Sequence, residues 1–372
     1  MRTEPSYTHG TPASTAVILV NLGTPDEPTA PALRRYLGEF LSDPRVVEIP
    51  RLIWMLILHL IILRVRPAKS AAKYKTVWTA EGSPLMAIGL KQTAALRTWL
   101  KDRGLNVRVE LAMRYGNPSI ASVMDKLREQ AVDRVLVLPL FPQYAAATTA
   151  SIYDAIGDWL RPVRNVPELR FIKHYHDDAA YIESVAQQIL AHWTANGRPD
   201  FAAGDKLMMS FHGVPKRTLD RGDPYHCECH KTGRLVAQRL GLAKGDYVVT
   251  FQSRFGKAEW LQPYTEPTAR SLAQGGCKRL DVVCPGFTAD CLETIEEIGD
   301  EVREAFEHAG GAAFHYIPCV NDTPFFVAAL GRLVQNHTQG WPVQELDAQG
   351  FAQMRTDMEQ SRAAALELGA PR

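Results

Sequence analysis

Four short segments occur twice along the chain in the same order, and this repetition limits the fold more than any other feature. Val17-Ile-Leu-Val-Asn-Leu-Gly-Thr-Pro25 parallels Leu207-Met-Met-Ser-Phe-His-Gly-Val-Pro215, and Ala112-Met-Arg-Tyr-Gly116 parallels Gln252-Ser-Arg-Phe-Gly256. Arg134-Val-Leu-Val-Leu-Pro139 parallels Arg279-Leu-Asp-Val-Val-Cys-Pro285, and His176-Asp-Asp-Ala-Ala-Tyr-Ile182 parallels Val320-Asn-Asp-Thr-Pro-Phe-Phe326. Most of these are apolar runs that stop at Gly or Pro, as buried parallel strands do. The order predicts an internal duplication, each copy a four-stranded βα unit.

Strands are expected at Val17–Leu22, Arg108–Arg114, Val135–Leu140, Leu169–His174, Lys206–Phe211, Tyr247–Phe251, Leu280–Val283 and Ala313–Ile317. Amphipathic segments such as Ser119–Gln130, Tyr181–Trp193 and Thr232–Leu240 fall between them. That alternation is the signature of parallel α/β architecture. The expected organisation is a flexible polar tail at 1–14, a first domain at 15–178, a second at 179–338 and a C-terminal tail at 339–372. A Gly/Pro-containing link runs over 197–204, and a helix from Thr323 closes one of the halves.

Composition narrows the function. With 46% hydrophobic residues in 372, the chain can bury sizeable cores. Lys and Arg number 42 against 41 Asp and Glu, which argues against a general electrostatic nucleic-acid binder. Six cysteines in this length are no disulfide framework. Residues 1–16 lack the apolar core of a secretory signal. The longest apolar run, Leu52–Leu63, is broken by His59 and falls short of the ~20 residues of a spanning helix. A cytoplasmic protein with reduced thiols is expected. Glycine-rich phosphate loops are absent, so no nucleotide is expected.

In parallel α/β proteins the ligand lies at the C-terminal ends of the strands. His212 falls at such an end, followed by Gly213, where backbone can approach a ligand. It suits a base titrating near neutrality, and equally a histidine hydrogen-bonded in a turn. Beyond the strand ending at Cys284-Pro-Gly286, Asp290, Glu293, Glu297, Glu301 and Glu304 recur at spacings of 3, 4, 4 and 3. That is one stripe of one α-helix, without Lys partners four residues on. A capping box accounts for the first two acids only. A row of carboxylates suits the passage of a divalent cation or of protons.

Leu52–Leu63 is followed by Arg64, Arg66, Lys69, Lys73 and Lys75, with no acid before Glu81. This is either a buried helix beside a solvated basic face, or an apolar lip over a flat greasy ligand or bilayer surface. His226-Cys-Glu-Cys-His230 is dense in metal-ligand residue types, but adjacent side chains cannot all face one ion and no second cysteine pair follows.

Leu207–Pro215 with Arg221-Gly-Asp-Pro-Tyr225 resembles the signature of the ferrochelatases, and Cys284-Pro-Gly-Phe-Thr-Ala-Asp-Cys-Leu-Glu-Thr294 resembles that family's acidic-helix motif. Val20–Pro25, Met113–Gly116, Phe141-Pro-Gln-Tyr144 and Phe251–Gly256 with Trp260 match further blocks in order, from about Val17 to Leu333. The resemblance implies two Rossmann-like domains of chelatase type around a porphyrin cleft. It implies insertion of Fe²⁺, a substrate, into protoporphyrin IX to give protohaem and two protons. It assigns His212 and Glu293 as the catalytic, metal-handling pair, with Asp290 and Glu297 extending an acidic path. It assigns Arg114, Tyr115 and Trp260, with Ile53 and Leu56 of the lip, to the porphyrin. The lip would also touch the inner face of the membrane peripherally. No cysteine follows Cys319, whereas animal members carry a C-terminal cysteine cluster for a [2Fe–2S] centre; such a cluster is not expected here. Cys291 stands where some relatives have histidine. A chelatase for another tetrapyrrole such as coproporphyrin, and a non-catalytic porphyrin- or haem-binding protein, are the alternatives. The sequence does not give the oligomeric state.

Overall fold

A computed structural model describes residues 1–256 and 258–370. All eight expected strands are present. β1 (Ser14–Thr24), β2 (Arg108–Gly116), β3 (Val132–Pro139) and β4 (Glu168–Phe171) form one parallel sheet in the order β2-β1-β3-β4. β5 (Lys206–His212), β6 (Tyr247–Gln252), β7 (Arg279–Val283) and β8 (Ala313–Ile317) form the other in the order β6-β5-β7-β8. The duplication in sequence is thus one of topology. It extends to a loop: Met113 N–H bonds to Pro118 O at 2.7 Å after β2, and Phe251 N–H bonds to Pro263 O at 2.8 Å after β6.

The central strand β1 is apolar on both faces because both are covered. Ala16, Ile18 and Val20 pack with Val123, Met124 and Ile152. Val17 and Leu19 belong to a second cluster with Leu96 and Leu100, which also takes in Leu207, Met209 and Phe211 of β5. One core therefore runs from the first sheet to the second. The helix Pro324–His337, expected to close one half, packs on both Ala179–Asn196 and Pro84–Lys101. A Cβ on Gly331 would lie 2.3 Å from the Trp99 ring, so this close approach requires glycine.

Two expectations change. The helix predicted from Thr232 opens at Tyr225, after Pro224, with Asp223 accepting the Tyr225 amide at 3.0 Å. His226–His230 thus lies in its first turns. The tail 1–14 is docked: Arg2 pairs with Asp125 at 2.8 Å, and Glu4 accepts the Arg164 amide at 2.7 Å and pairs with Arg128 at 3.3 Å. Charge pairing supplies what its few apolar residues cannot. In the C-terminal tail, Ala348–Glu367 is a helix with no buried residue, in line with its lack of an apolar face.

Candidate active site

His212 ends β5, and its neighbour in register on β6 is Gln252. Its ring Nδ1 is 2.7 Å from the carbonyl of Gly213. A carbonyl only accepts, so Nδ1 carries the proton and Nε2 is left with a lone pair for a proton or a metal. Tyr225 OH donates to the His212 carbonyl at 2.9 Å, which fixes the strand end from the other side. Trp260 covers Gly213: a Cβ there would stand 3.1 Å from the indole ring.

The acidic segment departs from the expected stripe. Glu293–Val302 is wound as a π-helix and continues as the α-helix Arg303–His308. The wider i→i+5 turn breaks the 3.6-residue register on which the stripe was read. Glu293 and Glu297 turn inward. Glu301, with Glu296, pairs with Lys73 at 2.8 Å, so the acids do have a lysine partner, supplied by the basic segment of the other half. Asp290 leaves the row altogether. It precedes the helix and is buried, and its carboxylate accepts from Thr294 Oγ1 (3.1 Å), Cys319 N (3.2 Å), Asn321 Nδ2 (2.7 Å) and the Tyr316 hydroxyl. Three of these donors meet on Oδ1 and Asn321 on Oδ2, which ties the carboxylate to the segment after β8.

Glu297 accepts from Ser253 N at 2.6 Å, from Ser253 Oγ at 2.5 Å and from Gln252 Nε2 at 3.4 Å. Ser253 reaches it from a backbone with φ of +61°. Burial pushes the Glu297 carboxyl up. The Ser253 hydrogen bonds and the nearby His212 pull it down, Glu293 pushes the same way as burial, and the carboxyl ends above its ordinary range. Gln252 Nε2 also donates to the Glu293 carbonyl at 2.8 Å, joining the β6 end to the acidic helix. On its other side Glu293 faces the first half: its charge, after burial, helps push the Tyr36 phenol well above its ordinary value, and it acts likewise on Tyr74. His212, Glu293 and Glu297 thus share one environment where the two halves meet.

In the first half Arg114 is held rigidly. Its Nε donates to Ser151 Oγ at 2.6 Å and one terminal nitrogen pairs with Asp43 at 2.7 Å. Tyr115 OH donates to the same carboxylate at 2.8 Å. Tyr115 is 1% exposed and packs with Leu33, Tyr36 and Tyr74, so it backs the cleft and offers a ligand no face. That corrects its expected contact with the porphyrin. The lip is the reverse case. Trp54, Leu58 and Leu63 are buried, while Leu52, Ile53, Leu56, Leu60, Ile61 and Val65 are each more than half exposed. The buried-helix alternative therefore fails, and these neighbours make a contiguous patch rather than scattered surface residues. Arg66 stacks on Phe255 of the second half, 4.2 Å from the ring centre, at the same end.

Asp43 and Ser151 escaped the sequence reading. Gln252 and Ser253 stood out only as part of the repeat of Ala112–Gly116, and Lys73 only as one cation of the basic run after the lip, without its acidic partners.

The ferrochelatase family model matches residues 14–338. A ferrochelatase of Methylibium petroleiphilum is 60% identical over 92% of this chain and 93% of its own. One of Polaromonas sp. strain JS666 is 57% identical over 99% of both. Among solved structures, SirB from Bacillus subtilis with Fe³⁺ covers 90% of this chain at a TM-score of 0.52 and 13% identity, a likeness of fold. The strand-end histidine, the inward glutamates and the two like sheets therefore stand in a family context: the chain belongs to the ferrochelatases, the lyases that insert ferrous iron into protoporphyrin to make haem.

Proposed function

We propose that His212 Nε2 accepts pyrrole protons and hands iron to the ring, with Glu293 opposite and Glu297 as the next proton holder. Fe²⁺ and a porphyrin with two N–H groups become the iron porphyrin and two protons. Each proton needs an acceptor within reach, and His212 with the raised Glu297 offers a sequence of them. The observation that carries this is the Nδ1 contact of His212 with Gly213 O, which frees Nε2. Asp290 is a brace for the loop, not a step on the path. Arg114 holds a cationic edge for a propionate, and Trp260, Ile53 and Leu56 cover the ring. Loss of the free-base absorption bands of protoporphyrin with Fe²⁺ or Zn²⁺, run beside coproporphyrin, tests the reading. Equal or better turnover of coproporphyrin would favour the tetracarboxylate substrate over the greasier ring.

The apolar lip supports peripheral contact with the inner face of the membrane. No described helix is long and apolar enough to cross one. Covering exposed apolar surface contributes roughly 25 cal/mol per Å², and each nearby cation about 1 kcal/mol at an anionic surface. Lys73 is engaged with Glu296 and Glu301, so Arg64, Lys69 and Lys75 are left to meet the lipid. Co-sedimentation with anionic liposomes is expected at low salt and should fade at high salt. Ser at positions Ile53, Leu56 and Leu60 should raise KM for protoporphyrin and leave KM for Fe²⁺ near its starting value. An unchanged KM for protoporphyrin in that variant, with no liposome binding by the parent, would remove the lip from both roles.

Cys227 and Cys229 are proposed to be dispensable, without a [2Fe–2S] cluster. Cys227 is exposed and Cys229 buried, and burial pushes the Cys229 thiol well above its ordinary value. A Cys227→Ser, Cys229→Ser variant should retain activity, and the purified protein should lack visible iron–sulfur absorption. A brown protein that bleaches and dies on this change refutes it.

A further inference from the structure

The dense motif at His226–His230 contributes to a cluster, though not in the way its spacing suggests. Glu228, in the first turn of the helix Tyr225–Arg239, meets His174 and His176, which follow β4 in the other half. The ligand atoms of the three residues all lie within 4.8 Å of one another. His174 Nδ1 is 2.7 Å from Glu228 Oε1, and His176 Nδ1 is 3.3 Å from Oε2. The Tyr144 amide donates to Oε2 at 2.7 Å.

Hydrogen bonding leaves this cluster incomplete. His176 is 6% exposed, and its Nδ1 has no hydrogen bond of working geometry despite its nearness to the carboxylate. A buried nitrogen facing a carboxylate at 3.3 Å without a hydrogen bond is a pair of polar atoms that a cation between them would satisfy. In a tetrahedral site with ~2.1 Å bonds the donor atoms stand ~3.4 Å apart. The present donor atoms, from 2.7 Å apart to within 4.8 Å of one another, bracket that spacing. Lys231, on the same helix as Glu228, is already paired with Asp177.

We propose that His174, His176 and Glu228 form a second metal site, separate from iron insertion, that takes one divalent transition ion of the Zn²⁺ or Fe²⁺ class. Two imidazoles and one carboxylate are the donor set such ions prefer, and they leave a position open. The site ties the loop after β4 to the second half. Tyr225, three residues before Glu228 on the same helix, donates to the His212 carbonyl, so the bound ion braces the helix that holds the catalytic strand end.

The test uses the full chain carrying His212→Ala and Glu293→Gln, so that the insertion site contributes nothing. Co²⁺ and Zn²⁺ are titrated in separately, without porphyrin. One ion should bind per chain, Co²⁺ should develop visible absorption of a nitrogen–oxygen site, and Tm should rise with metal concentration. His174→Gln and Glu228→Gln should each weaken binding at least about tenfold, and together abolish it. His174 is partly exposed, so its variant carries the test alone if Glu228→Gln fails to fold. Unchanged affinity in the His174→Gln variant, or no ion bound by the parent, overturns the site.

Discussion

His212→Ala should reduce insertion of Fe²⁺ into protoporphyrin by about 10²–10⁴, the usual loss on removing a positioned base, and by more if the ring also handles the metal. Glu293→Ala should fall in the same range. Neither change should unfold the protein. His212 is half-buried at a strand end, and the strand's own bond there, Gly213 N–H to Gln252 O at 2.8 Å, is backbone and survives. Glu293 anchors Gln252 through its carbonyl, which alanine keeps. Single-turnover metallation followed by absorbance, with circular dichroism and Tm as controls, checks both. If either variant turns over at near the parent rate with its fold intact, that residue leaves the mechanism.

Asp43→Ala should cost about 3–5 kcal/mol of stability, the range for breaking one side of a buried ion pair. Its side chain is 3% exposed and accepts from Arg114, Tyr115, Ser151 and the Arg45 amide. Alanine would leave the Arg114 guanidinium facing buried hydroxyls and no counter-charge. Burial pushes the Asp43 carboxyl up, but hydrogen bonds from Ser151, Tyr115 and the Arg45 amide, with the Arg114 charge, outweigh it and hold the group below its ordinary value. The stability it contributes is therefore complete above the unfolded-state pKa of ~3.9 and is lost as pH falls through the lower folded value. Urea midpoints at neutral pH should drop sharply in the variant, and the gap should narrow toward strongly acid pH. A gap that is constant with pH would mean the loss is one of packing alone. KM for protoporphyrin should rise too, because Arg114 loses the partner that aims it.

The sheets were legible because a parallel strand buried on both faces writes itself as an unbroken apolar run, as in Val17–Val20 and Val135–Leu138. Their grouping into two sets of four was legible because the chain repeats its strand-end segments in the same order; the order of strands within each sheet was not. The acidic segment was misread for a definite reason: its spacings were measured against a 3.6-residue turn, and Glu293–Val302 does not have one. Asp290 carried the right residue type and the wrong partners, since Tyr316, Cys319 and Asn321 arrive from another strand end. Asp43, Lys73 and the His174–His176–Glu228 cluster depend on pairings across more than fifty residues. No local pattern encodes such pairings.

The core shared by the two sheets gives the duplication a mechanical meaning. Each copy serves as solvent for the other: β5 contributes Leu207, Met209 and Phe211 to the same apolar interior as Val17 and Leu19 of β1. A half expressed alone would present that face to water. The seam, with Trp99 seated against Gly331, is also the ruler that fixes how far Arg114 stands from His212. A substitution there, distant from every reacting atom, would reset the width of the cleft on which the chemistry depends.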